Sequence, residues 1–452
     1  MESPTRVAAS FDPLASRVNG RVFTEGHEKY DDARRIWNAL RDRKPAAIVR
    51  PDSVQDVVAT ARFARDRGVL LSARSGGHGI NGGAVRDGGI TVDFSRWREI
   101  EIDAINHIAV VQPGVTWGEL DAATQEFGLA VPGGKVASVG VGGSVLNGGI
   151  GWLVRHHGLS IDHLRAVEIV TGAGRAVRAS ATSNADLFWA ARGAGSFIGI
   201  VTSYEFDLIP VGPVVAGMVL HPFDRAREVL EFFCDFTAQA PEELTTMTGM
   251  LHGPDGRKMV GVGVTWSGDL ETGEKVIAPL RNFGPPVMDM IGTMPYGLLQ
   301  RELAKMSPPG LNRSMKSAYF DRANDDFIAT AIDAFSSAPT RECMVLIEHA
   351  GGAANRVPPD ETAFPHRDVQ YNLIVDAGWQ ETTSGRDAYF WMASTWNRLR
   401  PHVRKSAYLG YLDADDIGRG LEAFGASNFA RLRELKREHD PAHVLASLPG
   451  LR

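Results

Sequence analysis

At 452 residues the chain exceeds the size at which a single hydrophobic core keeps growing, so two or more domains are expected. With 48 Lys and Arg against 54 Asp and Glu, its formal charge of −6 gives no electrostatic reason for nucleic acid or an anionic membrane as partner. Cys234 and Cys343 are too few and too far apart for a disulfide framework or a CxxC metal site, and both read as buried thiols.

Met1 to Val18 lacks an apolar run behind a basic start, and no stretch approaches the roughly 18 uncharged apolar residues of a membrane span, so a cytoplasmic protein is expected. Residues 30–44 read as a polar helix ending before Pro45, followed by a strand over Ala46–Val49. Ser53 with Asp56 three residues on resembles a capping box. Val54, Val57, Val58 and Ala61 form the apolar stripe of the helix it opens, and Gly68 stops it. A short strand over Val69–Ala73 leads into Arg74-Ser75-Gly76-Gly77-His78-Gly79. Consecutive glycines let backbone approach a flat or anionic ligand, Arg74 offers a cation, and a neutral imidazole at His78 is a good nucleophile. On the hexapeptide alone, a glycine turn with a solvent-exposed His is an equal reading.

Ile90–Phe94 and Ile108–Val111 follow as strands, the second ending in Gln112-Pro113-Gly114. Thr116-Trp117-Gly118-Glu119 has the pattern of a capping box. The densest glycine run, 139–151, is too poor in side chains for a stable helix and reads as a loop of backbone N–H groups ordered by phosphate oxygens. Leu164–Thr171 and Ala176–Ala179 read as a hairpin, Asp186 onward as a short helix, Val201–Leu208 as an alternating strand, and Pro210–Pro213 as a linker between domains. Beyond it, strands near Val214–Leu220, Thr245–His252 and Met259–Trp266 alternate with helices such as Ala226–Ala238, which predicts an antiparallel sheet backed by helices and an α+β fold class.

Taken in order, Arg74-Ser-Gly-Gly-His78, Gln112-Pro-Gly114, Gly140-Val-Gly-Gly-Ser-Val-Leu-Asn-Gly-Gly149, Gly158-Leu-Ser-Ile-Asp162, Asp186-Leu-Phe-Trp189 and Arg192-Gly-Ala-Gly195 resemble the FAD-binding domain of the vanillyl-alcohol-oxidase superfamily, of PCMH type. The end of the chain, Phe424-Gly425 through Asn428, Arg431 and Asp440-Pro441, is similar to the terminal signature of the berberine-bridge-enzyme-like oxidases. The resemblance implies an FAD-binding domain over 1–210, a substrate-binding domain over 211–415, and a segment over 416–452 that returns to the first.

It also implies FAD bonded covalently through His78, with contacts from Arg74, Ser75, Gly76, Gly77, Gly79, Gln112, Pro113, Gly114, Val139, Gly140, Gly142, Gly143, Ser144, Asn147, Gly148, Gly149, Ile200, Val201 and Tyr408. Many members of the family carry a second link through Cys. The corresponding position here is Val136, so a single link is expected. Phe197-Ile198-Gly199, Gly410 and His443 depart from the family pattern. Glu348, charged within the apolar strand Met344–Ala350, reads either as a functional carboxylate or as a solvated face; Lys316, Tyr371, Asn372 and Tyr411 are further catalytic candidates. His366-Arg367 matches a family turn, and Ile374 stands where some relatives place a catalytic Glu or Gln. The activity implied is two-electron oxidation of a small alcohol or amine, often of secondary metabolism, with hydride passing to flavin N5 and O2 reduced to H2O2. Val139 resembles the permissive form of the family's oxygen gate. The alternative is an oxygenase or oxidative cyclase. Partners implied are a small-molecule substrate and O2, in a monomer or homodimer.

Overall fold

A computed structural model describes residues 11–305, 308–380, 385–446, 448 and 450–451. Three sheets carry the architecture, and helices and antiparallel strands together make the class α+β. In the first sheet Ile90–Asp93 lies between Ala47–Arg50 and Leu71–Arg74, parallel to both, with Arg21–Phe23 antiparallel at the edge. All four residues of Ile90–Asp93 are buried, including Thr91 and Asp93, because a central parallel strand is covered on both faces. Asp93 is satisfied there by Arg50.

The second sheet is antiparallel. Its strands run in the order Ile100–Asp103, Ile108–Val111, Gly199–Asp207, Leu164–Thr171, Ala176–Ser180. The third has the short strands Met288–Asp289 and Gly292–Met294 at one edge on Val214–Pro222 and continues through Lys258–Trp266, Leu244–His252, Met344–His349 and Tyr371–Trp379 to Asn312–Phe320, every pairing antiparallel. Helices Ala226–Ala238, Asp325–Ser336 and Gly385–Leu399 pack on one face of that sheet, around Phe233, Phe335 and Trp391. The other face is turned toward the first two sheets, with Met247 packed near Trp152 and Tyr296.

Two local expectations are overturned. The helix expected over 30–44 is one turn, Tyr30–Arg34. Beyond it the chain is pinned by tertiary bonds: Trp37 N–H donates to Gly77 O at 3.1 Å, and Asn38 Nδ2 donates to both Ile80 O and Arg313 O. The glycine-dense run does contain a short helix, Val141–Leu146, seated by the bond from Val141 N–H to Val115 O. Tertiary anchoring outweighs weak propensity in both cases. The Thr116 capping box is present, whereas Ser53 caps without a reciprocal partner, since Asp56 instead accepts from the backbone N–H groups of Asn19, Gly20 and Asp52. Cys343 is buried, but Cys234 is only half-buried. Among the described residues no helix is long and apolar enough to cross a membrane, and no cluster of His, Cys, Asp or Glu could hold a metal.

The final helix, Gly420–His439, is kinked at Gly425, where φ is +65°, a value glycine adopts without strain. Its far end is locked to the first part of the chain. Buried Lys436 donates to Phe197 O, Ala446 O and Asp440, while Asp440 accepts from the backbone of Val444 and Leu445.

Candidate active site

Between the three sheets lies a cavity of about 490 Å³. Its floor starts where Leu71–Arg74 ends. Ser75, Gly76, Gly77, His78 and Gly79 all line it, and the His78 imidazole stacks on Trp37 with ring centres 5.0 Å apart and planes 21° apart. Burial pushes the His78 imidazole down to about 4, so the ring is neutral at pH 7. The next wall is the short helix. Gly76 and Gly140 touch backbone to backbone: a Cβ on Gly140 would meet Gly76 N at 2.2 Å, and one on Gly76 would meet Gly140 N at 2.4 Å. Gly143 differs, because a Cβ there meets no protein atom within 4 Å and would project into open space. It lies in the first turn of Val141–Leu146, where N–H groups have no acceptor within the helix.

Pro113, Val139, Gly140, Gly142, Ser144, Asn147, Ile200, Val201 and Tyr408 complete the lining drawn from the cofactor candidates. Arg74, Gln112, Gly114, Gly148 and Gly149 do not reach the cavity. Arg74 donates to Ala33 O and pairs with Asp93, so it supports the strand end rather than offering a cation to a ligand. Gln112 is spent on Glu99, and Gly114 is required because a Cβ would meet Phe94 O at 1.9 Å. Gly148 and Gly149 have positive φ and pack against Phe364 and Ser160.

Beside the cavity, in a small pocket that shares Lys135 and Ile150 with it, the third sheet supplies a carboxylate. Register places Asn372 across from Glu348 on one side and Tyr319 on the other. Glu348 Oε1 accepts from Lys135 Nζ and from Tyr411 OH at 3.0 Å, and Oε2 accepts from Asn372 Nδ2 at 2.9 Å. Burial and then the nearby Glu348 charge hold the Tyr411 phenol well above its ordinary range, so it remains a donor. Tyr408 meets Tyr411 edge-on at 4.8 Å. Two candidates fall away from this group by strand alternation. Tyr371 points to the helix-covered face, bonded to Thr237 Oγ1 at 2.7 Å and stacked on Phe320. Lys316 is paired with Asp415 and Asp416. Ile374 is buried two residues from Asn372 on its strand, and His366-Arg367 is a structural turn whose Arg367 grips Asp162 with two nitrogens. Sequence reasoning missed Lys135 and Trp37. A lone cation inside the apolar, glycine-flanked 131–141 loop was the available signal for the first; the second lay in the stretch misread as helix.

Comparison with known proteins agrees with this geometry. Residues 45–180 match the family described as FAD binding domain, and residues 407–450 match the one described as Berberine and berberine like. An FAD-linked oxidoreductase of Dictyostelium discoideum is 30% identical over 100% of this chain and 99% of its own. The chain belongs to the berberine-bridge-like FAD-linked oxidoreductases. Within that family, the (R)-6-hydroxynicotine oxidase of Paenarthrobacter nicotinovorans is 30% identical over 94% of each chain. The crystal structure of 6-hydroxy-D-nicotine oxidase from Arthrobacter nicotinovorans superposes with a TM-score of 0.88 at 25% identity, covering 96% of this chain and 98% of that one. A Physcomitrella patens BBE-like 1 structure, at 23% identity and a TM-score of 0.89 over 98% and 99% of the two chains, shares the fold.

The residues present fit the FAD that membership implies. Ser75 Oγ is buried with no protein partner, Gly143 leaves a cradle that a methyl group would fill, and the cavity is of a size that suits a large cofactor. His78, neutral through burial, stands in its wall.

Proposed function

We propose that this oxidoreductase is an oxidase of small organic alcohols or amines, with Glu348 as the general base and His78 as the single covalent anchor of FAD. The observation that carries the reading is the bonding of Glu348. An ionised carboxylate has about four lone-pair positions. Lys135, Tyr411 and Asn372 occupy three of them, two on Oε1 and one on Oε2. The remaining Oε2 position is held in a fixed direction for a substrate O–H or N–H proton, and a general base so placed is worth about a hundredfold or more in rate. Bound FAD supplies the two-electron acceptor and returns those electrons to O2.

The chain does the rest. The neutral His78 imidazole can attack an electrophilic carbon at pH 7 because burial keeps its proton off. Val136 lines the cavity without a thiol, which supports one link rather than two. Val139 lines it as well, with its carbonyl tied to Trp117 N–H at 3.0 Å, and is the residue we assign to O2 access. Tyr408 and Tyr411, both phenols held neutral by burial, close the substrate end, and Tyr411 donates to Glu348 rather than competing for the proton.

The test is an anaerobic screen of small alcohols and amines, following bleaching of the visible flavin band, then admission of air with H2O2 assayed. About one H2O2 per substrate consumed is expected for an oxidase. Substrate consumption with oxygen incorporated into product, and no H2O2, would replace the oxidase reading with an oxygenase. Yellow colour released entirely into the supernatant on acid precipitation would refute the covalent anchor.

A further inference from the structure

Glu348 is a buried carboxylate on the third sheet, yet its one cationic contact among the described residues comes from the other half of the molecule. Lys135 stands in the loop between Gly134 and Val136, and its ammonium reaches Glu348 Oε1 across the space between the sheets. Both side chains are withdrawn from solvent, with 14% of Lys135 and 6% of Glu348 exposed. The loop cannot drift: a Cβ on Gly134 would meet Trp117 Nε1 at 2.8 Å, and Ala137 N–H donates to Gln300 O at 3.2 Å. The Trp152 ring lies 5.7 Å beneath the ammonium, adding cation–π attraction to the ion pair.

The phenols and imidazoles around this carboxylate are neutral at pH 7. Burial raises the phenols of Tyr319, Tyr408 and Tyr411, pushes His366 down to about 4, and lowers His349 well below its ordinary value. Of the nearby guanidinium groups, Arg367 is paired with Asp162 and Arg155 is bonded to backbone carbonyls, so Lys135 is the cation in contact with Glu348. In a site of low effective dielectric such a contact is strong, and its loss leaves an uncompensated buried charge.

We propose that Lys135 is the positioning residue of the proton-removing group: it holds the Glu348 carboxylate in place and orients its free Oε2 lone pair, so that the base is assembled only when the FAD-side loop and the substrate-side sheet are together. The proposal rests on the reading of Glu348 as base. Its chemistry is a single proton transfer, from the substrate O–H or N–H to Oε2, with Lys135 unchanged throughout.

The test uses the flavin-loaded enzyme and needs no substrate. In infrared spectra the carboxylate stretches of Glu348, assigned by their loss in Glu348→Gln, should shift and broaden in Lys135→Met as the carboxylate loses its fixed orientation. Lys135→Arg should restore the parent bands. A thermal cycle supplies the second measurement. Lys135→Met should lower the melting temperature by on the order of 5 °C. In Lys135→Met/Glu348→Gln, where neither charge is left alone, most of that deficit should be recovered. Carboxylate bands identical in parent and Lys135→Met, or losses that simply add in the double variant, overturn the proposal. Lys135→Gln carries the same comparison should the Met variant not fold. The two readings fail separately: unchanged flavin reduction in Glu348→Gln removes the base, while unmoved carboxylate bands remove only the role of Lys135.

Discussion

His78 combines three conditions that seldom meet in one histidine: a glycine loop that frees its backbone, a Trp37 ring that fixes its plane, and burial that keeps it unprotonated. A solvent-exposed imidazole would lose its nucleophilic form as pH falls through about 6.5. His78 should lose it only as pH falls through about 4. Reconstitution of flavin-free protein with FAD should therefore form acid-stable flavin at a nearly level rate from neutrality down to about pH 5, and an earlier fall near pH 6.5 would show that the ring is solvated. His78→Ala should still fold and bind FAD, but acid should release all of it. Glu348→Gln keeps the size and one acceptor while removing the base, so flavin reduction should slow by about a hundredfold or more, and the stranded Lys135 ammonium should lower the melting temperature by several degrees. An unaltered reductive rate would leave Glu348 a structural carboxylate.

At the scale of elements, Val141–Leu146 separates two uses of glycine. Gly140 is small because another backbone occupies the space, so Gly140→Ala should force the helix from the Ser75–Gly76 turn, lowering both melting temperature and flavin content. Gly143 is small where the protein itself has room. Gly143→Ala should leave the stability of flavin-free protein unchanged or raised by about 1 kcal/mol through helix propensity, while weakening FAD binding; unchanged FAD affinity would show that the cofactor does not approach this turn. The same helix shows where sequence stops being legible. Thr116 and Glu119 announce a helix through bonds they make to each other and to nearby backbone, and the hairpin at 164–180 is announced by its Gly172-Ala173-Gly174 turn. Val141–Leu146 is held by Val115, and 35–44 by Gly77, Ile80 and Arg313, partners that no local pattern discloses. The candidate site divides in the same way. The His78 loop and Glu348 stand out as chemistry misplaced in apolar surroundings, whereas the orientation of Tyr371 and Lys316 depends on strand register, and Lys135 on a contact 213 residues away.

On the scale of the whole molecule, the two sides of the cavity are fastened by side chains that cross between them. Arg155 donates to Leu244 O at 2.9 Å, Ala350 O at 2.6 Å and Ala240 O at 3.1 Å, and Arg367 holds Asp162 in a buried two-pronged pair. Arg155→Met would strand three carbonyls on the substrate side. It should lower the melting temperature by several degrees and slow flavin reduction without releasing the flavin, because the His78 loop is not among its contacts. Loss of flavin in that variant would show that the two sides are not separable in this way.

Leu445 and Leu448 belong to the cavity wall, beside a loop contributed by residues 75–79. During translation these leucines are made long after the histidine they help enclose. A nascent chain that has already displayed the His78 imidazole still lacks this part of the cavity wall. A cavity closed enough to shelter the cofactor therefore forms only after synthesis has passed Leu448.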